Sequence, residues 1–210
     1  MSDEFIREVD DDLRQKQIND LWKKYGKFVI GMAFGIVAIV AGRAIYTSVV
    51  EGQYQEQASL YEEALLQNAD QMSASLNQVA NGGVAGFELL ATLKKAQLAI
   101  EADNREEAIS ILDGFAKNSD MSQIYKDMVN IQVALLEVDT ASLDQIRSRL
   151  SLILNGDNRY GYMATEIMAL AELKAGETDA AKTRLETLIG DVDAPGSIKT
   201  RAEQYLSVIE

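Results

Sequence analysis

The side chains with chemistry to offer are nearly all carboxylates: the 210 residues hold 33 Asp and Glu against 20 Lys and Arg, with no cysteine and no histidine, for a formal net charge of -13. Without His or Cys, no Ser-His-Asp triad, no thiolate nucleophile and no imidazole- or thiolate-ligated zinc site can be built. Adjacent pairs such as Glu62 with Glu63 and Glu106 with Glu107 are what remains for acid/base work. Neighbours in sequence point away from each other on a helix, so these pairs read as part of an acidic, solvated face. No catalytic, cofactor-binding or metal-ligating residue is assigned, no cofactor is implied, and the chain is expected not to be an enzyme. With no cations clustered in the C-terminal region, no nucleic-acid partner is expected either.

The remaining chemistry is that of surfaces, and it begins with Phe28 to Val50, FVIGMAFGIVAIVAGRAIYTSVV. A hydrocarbon slab about 30 Å thick takes about 20 apolar helical residues to cross. Only Arg43 interrupts the run, near one end, where a long cation reaches back to the headgroups. Trp22, Tyr25 and Tyr46 suit the two interfaces. Gly31, Gly35, Ala38 and Gly42 recur at helical spacing and form a small-residue face against which another membrane helix could pack. The general abundance of glycine in membrane helices explains the same residues equally well.

Lys23, Lys24 and Lys27, with Arg14 and Lys16 further out, precede the span, and beyond Arg43 no Lys or Arg occurs before Lys94. Glu51, Glu56, Glu62, Glu63, Asp70 and Glu88 fill that interval. Cations near a span stay cytoplasmic, so the prediction is a single-pass protein of the bacterial inner membrane, N-terminus cytoplasmic and C-terminal domain periplasmic. A cleaved signal peptide and a buried soluble helix are the competing readings. Against cleavage stand the long acidic lead, from Asp3 to Asp12, and a small-residue site at Val40 to Gly42 that would leave Arg43 just past the cut.

These features place a cytoplasmic tail at 1–27, a transmembrane helix at 28–50, a long helix leading out of the membrane at 51–83, and a domain at 84–210. In the tail, Ile18, Leu21, Trp22 and Tyr25 have helical spacing; an amphipathic turn on the membrane surface and a flexible polar tail are both open. Ala58, Tyr61, Leu65, Met72, Leu76 and Val79 make one stripe through the long helix, which Asn81, Gly82 and Gly83 stop. Further stripes follow, among them Ala108, Ile111, Leu112 and Phe115; Ile124, Met128, Ile131, Leu135 and Val138; and Met163, Ile167 and Leu170. Turn residues separate them, with Asn155, Gly156 and Asp157 one such group, and Ile198, Ala202, Tyr205 and Ile209 close the domain as a capping helix. No stretch alternates with period two, so the fold class is all-α. A domain outside the cytoplasm without cysteine must rest on packing alone, which about 160 residues can supply.

Ala102-Asp-Asn-Arg-Glu-Glu-Ala108-Ile-Ser-Ile-Leu112 aligns with Ala175-Gly-Glu-Thr-Asp-Ala-Ala181-Lys-Thr-Arg-Leu185, about 73 positions on, with a weaker copy over Leu136 to Leu150. That motif resembles the tetratricopeptide repeat, whose helix pairs recur about every 34 residues. An irregular helix bundle is the alternative. With the anchor added, the layout resembles the YfgM-like family of ancillary SecYEG translocon subunits. Gly26-Lys27 leads into the glycine-rich span, which ends in Gly42-Arg43 followed by Tyr46; the family's aromatic next to the arginine is missing and the acidic head is longer. The resemblance implies partners in the SecYEG translocon and a membrane-anchored periplasmic prolyl isomerase, with newly exported, unfolded proteins handed to periplasmic chaperones.

The functional expectation is a non-catalytic, membrane-anchored protein-protein interaction scaffold. The alternative is a cell-envelope organiser, a division or cytochrome-assembly factor on the same repeats. Tyr125, Tyr160 and Tyr162 are either contacts for a partner or packing inside the helix pairs.

Overall fold

A computed structural model of the chain describes residues 2–118, 120–155 and 158–209, with side chains described at these positions other than 2–21, 26, 29, 30, 33, 70 and 118. Every regular element among them is an α-helix. The chain divides into two compact units at Glu56 and Gln57.

The described residues of the first unit are all helical, as part of α1, Ser2–Leu65. Its described apolar side chains are bare: Phe28 is 77% exposed and Phe34 72%, with Val37, Ile39 and Val40 similar. A helix that is apolar all round is made for a protein core or for lipid, and no core covers the described side chains of this one. Within α1, Phe34–Leu65 contains a stretch long and apolar enough to cross a membrane. Of the expected tail stripe, Trp22 and Tyr25 are exposed; Ile18 and Leu21 lie outside the described side chains.

The second unit begins at Gln57, so residues 57–83 belong to the packed domain instead of forming one long helix ahead of it. The single helix expected over 51–83 is two. α1 ends at Leu65, the amides of Leu66 and Gln67 turn back to the Glu63 and Ala64 carbonyls, and α2 runs Ala69–Ala80. The cause is Asn68, whose side chain accepts from the Gln71 amide at 3.1 Å and so starts a new helix. The reversal lays Leu76 and Val79 on Ala64 and Ala91, with Tyr61 and Phe87 rings 6.2 Å apart beside them. Leu65 and Met72 stand two turns apart, so the apolar stripe stays in phase across the break and hides it from a reading of periodicity.

The rest stacks as helical hairpins: α3 (Ala85–Glu101) with α4 (Arg105–Asn118), α5 (Gln123–Glu137) with α6 (Leu143–Leu154), α7 (Gly161–Lys174) with α8 (Thr178–Gly190), and α9 (Gly196–Ile209). Each helix packs on its neighbours in sequence, and α7 also meets α5 and α9. That nearest-neighbour pattern belongs to stacked repeats. The core repeats with it. Ala108, Leu112 and Phe115 of α4, Ile146, Leu150 and Ile153 of α6, and Ala181, Leu185 and Leu188 of α8 occupy equivalent, buried positions. Small Ala at the first of these lets the second helix of a hairpin close on the first; Ile146 shows that the middle hairpin fills the same place differently.

The first and third hairpins share their turn. The Asn104 amide donates to Ala99 O, and the Glu177 amide to Glu172 O, each at one end of a left-handed residue. In the third that residue is Gly176, with φ 80°; in the first it is Asp103, with φ 57°. Left-handed backbone costs a non-glycine residue about 1 kcal/mol. Asp103→Gly is therefore expected to raise stability by up to about 1 kcal/mol, read as a higher urea midpoint at unchanged m-value.

Two stripes differ from expectation. On α5 and α7 the helix is enclosed on several sides, which spreads burial around the axis: Val129, Val133, Ala134, Ala164, Met168 and Ala171 are buried, while Leu135 and Met163 stand 45% and 36% exposed. The turn expected at Gly156 and Asp157 lies outside the described residues.

Candidate functional site

Polar side chains that sequence periodicity gave no reason to bury tie the hairpins together. Arg149 on α6 spreads over three partners: Nε donates to Glu137 Oε2 at 2.9 Å, and Nη1 to Asp113 Oδ1 at 2.6 Å and Asn130 Oδ1 at 3.3 Å. It thereby links α6 to both α5 and α4. In the next hairpin Arg184 donates from Nε and Nη2 to the two oxygens of Glu172, at 2.9 and 2.6 Å. Arg201 on α9 does the same with Glu166 on α7, both bonds at 2.6 Å. Such two-point pairs set orientation as well as energy, and Glu166 and Glu172 are 6% and 2% exposed. Burying those carboxylates would be prohibitive without the guanidiniums. A third buried acid, Asp127 on α5, accepts from Gln123 Nε2 and Asn158 Nδ2 and so holds the residues leading into α7.

Burial alone would raise the Asp113 carboxyl, but the Arg149 guanidinium and the Lys117 ammonium outweigh it and hold the group below its usual value. Its folded pKa being lowered, the stabilisation is present above the unfolded value, about 4, and is lost as pH falls through the folded one. The expected result is an acid-side fall in melting temperature that is smaller in Asp113→Asn, measured by thermal melts from pH 6 downward.

Beside the Glu166 and Arg201 pair lies a pocket of about 200 Å3, lined also by Leu135, Met163, Leu170 and Tyr205. It is built from α5, α7 and α9, the first helices of successive units, and the exposed Leu135 and Met163 form its apolar rim. A larger groove of about 620 Å3 opens between α6 and α8 over α7. Both are lined by apolar side chains together with charged ones.

The residues singled out from sequence fall as follows. Gly31, Gly35 and Gly42 have no neighbour within 4 Å of an added Cβ, and Ala38 is exposed, so their shared face is open. Lys23, Lys24 and Lys27 are exposed, with Lys24 Nζ 5.3 Å from the Tyr25 ring centroid. Tyr125 is exposed, whereas Tyr160 packs on the α5 to α7 core and Tyr162 on the α7 to α9 core, its hydroxyl 3.2 Å from Asp191 Oδ2. Glu62 and Glu63 are exposed; Glu106 and Glu107 sit in the first turn of α4, where Glu107 accepts from Asn104 Nδ2 and helps to cap the helix. Among the described residues no group of His, Cys, Asp and Glu is placed to hold a metal ion. A signal for the missed ion pairs existed: Glu137 with Arg149 and Glu172 with Arg184 have the same spacing in consecutive repeats.

Residues 19–154 match the family described as a tetratricopeptide repeat-like domain. Helices α7 to α9 lie beyond the matched residues and continue the same packing. Neither the comparison with curated proteins nor that with solved structures returns a match.

Proposed function

The chain belongs to the tetratricopeptide repeat-like domain family, and from that premise we propose that it is a non-catalytic, membrane-anchored scaffold whose repeats bind partner proteins outside the cytoplasm. The observation that carries the anchor is the bare apolar surface of the described residues of α1 from Phe28 onward, which suits lipid or another membrane helix. Lys23, Lys24 and Lys27 on one side of it, against an acidic stretch on the other, orient the repeats outward. The fold fits an interaction scaffold, and the rim of Leu135 and Met163 on the pocket between α5, α7 and α9 offers apolar anchors for a partner.

In the fuller form of this reading the protein is an ancillary subunit of the SecYEG translocon that passes exported proteins to periplasmic chaperones, beside a membrane-anchored prolyl isomerase. That form rests on the likeness of Gly26-Lys27, the glycine-rich span and Gly42-Arg43 to the YfgM-like family. Photo-crosslinking in living cells from Gly35 and from Met163, followed by mass spectrometry, tests it. Adducts with translocon subunits and an exported chaperone support the reading; adducts confined to division or cytochrome-assembly proteins replace it with the cell-envelope organiser.

The face of Gly31, Gly35, Ala38 and Gly42 is proposed as the packing surface within the membrane. Gly35→Leu then weakens association there by about 1 kcal/mol or more, roughly fivefold, while the far-ultraviolet spectrum and melting of the repeat domain stay as they were. Unchanged association would remove this face from the account.

A further inference from the structure

The ion pairs of the repeat domain repeat, and one of them is incomplete. Arg149 and Arg184 stand at equivalent places on α6 and α8, next to the equivalent buried residues Leu150 and Leu185, and each closes on the glutamate near the end of its own hairpin's first helix, Glu137 or Glu172. Arg149 has further partners: its Nη1 reaches Asp113 on α4 and Asn130 on α5. Carried one repeat forward, the place of Asp113, which follows buried Leu112, falls on Ser151, which follows buried Leu150. The place of Asn130 falls on Thr165.

Both replacements are small hydroxyls already committed to their own helices, Ser151 Oγ donating to Ser148 O at 2.9 Å and Thr165 Oγ1 to Gly161 O at 2.8 Å. No carboxylate of α6 therefore meets Arg184, and among the described residues its Nη1 makes no hydrogen bond. Where Asp113 bridges α4 to α6, the space between α6 and α8 is the open groove of about 620 Å3, lined by Ser151, Thr165 and Arg184 together with Arg147 and Asn155. Leu154, Met168 and Ala180 supply its apolar walls.

We propose that this groove is a docking site for an acidic side chain of a partner polypeptide, whose carboxylate takes beside Arg184 the place that Asp113 holds beside Arg149 one repeat earlier. The volume exceeds what a free carboxylate fills, and the apolar walls give such an ion nothing, whereas a polypeptide brings neighbouring apolar side chains to them. Arg147, whose Nη1 already donates to Asp144 Oδ1 at 2.7 Å, and Asn155 also line the groove. The inference deepens the scaffold reading and rests on it.

The test uses the purified full chain in detergent micelles and a set of fluorescent ten-residue peptides, each with one Asp among Leu, Ala and Ser, and each paired with a twin carrying Asn in its place. The Asp peptides are expected to bind about tenfold or more tighter than their twins, as charge-assisted hydrogen bonds require. Ser151→Asp supplies the missing carboxylate from within: it should raise the melting temperature and abolish peptide binding together. Equal binding of Asp and Asn twins, or binding of neither, overturns the proposal. So does a Ser151→Asp variant that melts lower or still binds, and so does sodium acetate competing as well as a peptide, which would make this a site for free anions. Because the assay needs neither membrane nor cell, its failure leaves the anchored scaffold to be decided by crosslinking.

Discussion

Arg149→Leu lowers the stability of the repeat domain by about 2–4 kcal/mol, somewhat less than the 3–5 typical of a fully buried pair broken on one side. The discount reflects exposure, since Arg149, Asp113 and Glu137 keep 17%, 20% and 19% of their side chains open. The loss exceeds that of a surface charge because two carboxylates on different helices are left facing each other in a partly buried site, with Asn130 losing its donor too. For a domain of this size the fall in melting temperature is about 4–16 °C, readable by circular dichroism. Replacing Asp113 and Glu137 with leucine in the same variant recovers most of it, because the penalty lies in the stranded charges and not in the missing pair. Lys117, which sits 3.4 Å from Asp113, cannot substitute: its side chain is exposed and reaches only one of the two acids.

The second large effect concerns orientation. Changing Lys23, Lys24 and Lys27 to Gln, while placing lysines at the exposed positions Gln53, Gln55 and Ser59, moves the excess of cations from one side of the span to the other. The repeat domain is then expected on the cytoplasmic side in the majority of molecules, since cations within about 15–20 residues of a span fix its direction. Protease protection in spheroplasts reads the outcome. The fold of the domain is not expected to change, as all six positions are exposed and none lies in an apolar cluster.

Much of this was legible because each hairpin advertises itself twice, through an apolar stripe and through a polar turn. Ala108 and Ala181 mark the repeat, and the burial of Leu112, Leu150 and Leu185 follows from it. The bare helix around Phe34 could be anticipated from its composition alone. Asn68 was harder to see: one side-chain oxygen diverts the backbone, and the stripe through Leu65 and Met72 continues in phase regardless. The stripes of α5 and α7 misplaced Leu135 and Met163 because a helix packed on several sides has no single buried face. Glu166, Glu172 and Arg149 gave no sign of burial in the apolar pattern, for a buried charge declares itself only through a partner on another helix. The groove beside Arg184 was invisible for a further reason: it is defined by what Ser151 and Thr165 lack, compared with Asp113 and Asn130.

The central claim is an anchored scaffold with its repeats outside the cytoplasm, and the absence of cysteine allows it to be tested directly. A single cysteine introduced at Ser207, an exposed position of α9, is treated in intact spheroplasts with a maleimide that cannot cross the membrane. The account predicts full labelling at Ser207→Cys without lysis, and labelling of a cysteine at Ser2 only after lysis. Protection of Ser207→Cys until the cells are opened, or its recovery in the soluble fraction, would contradict it.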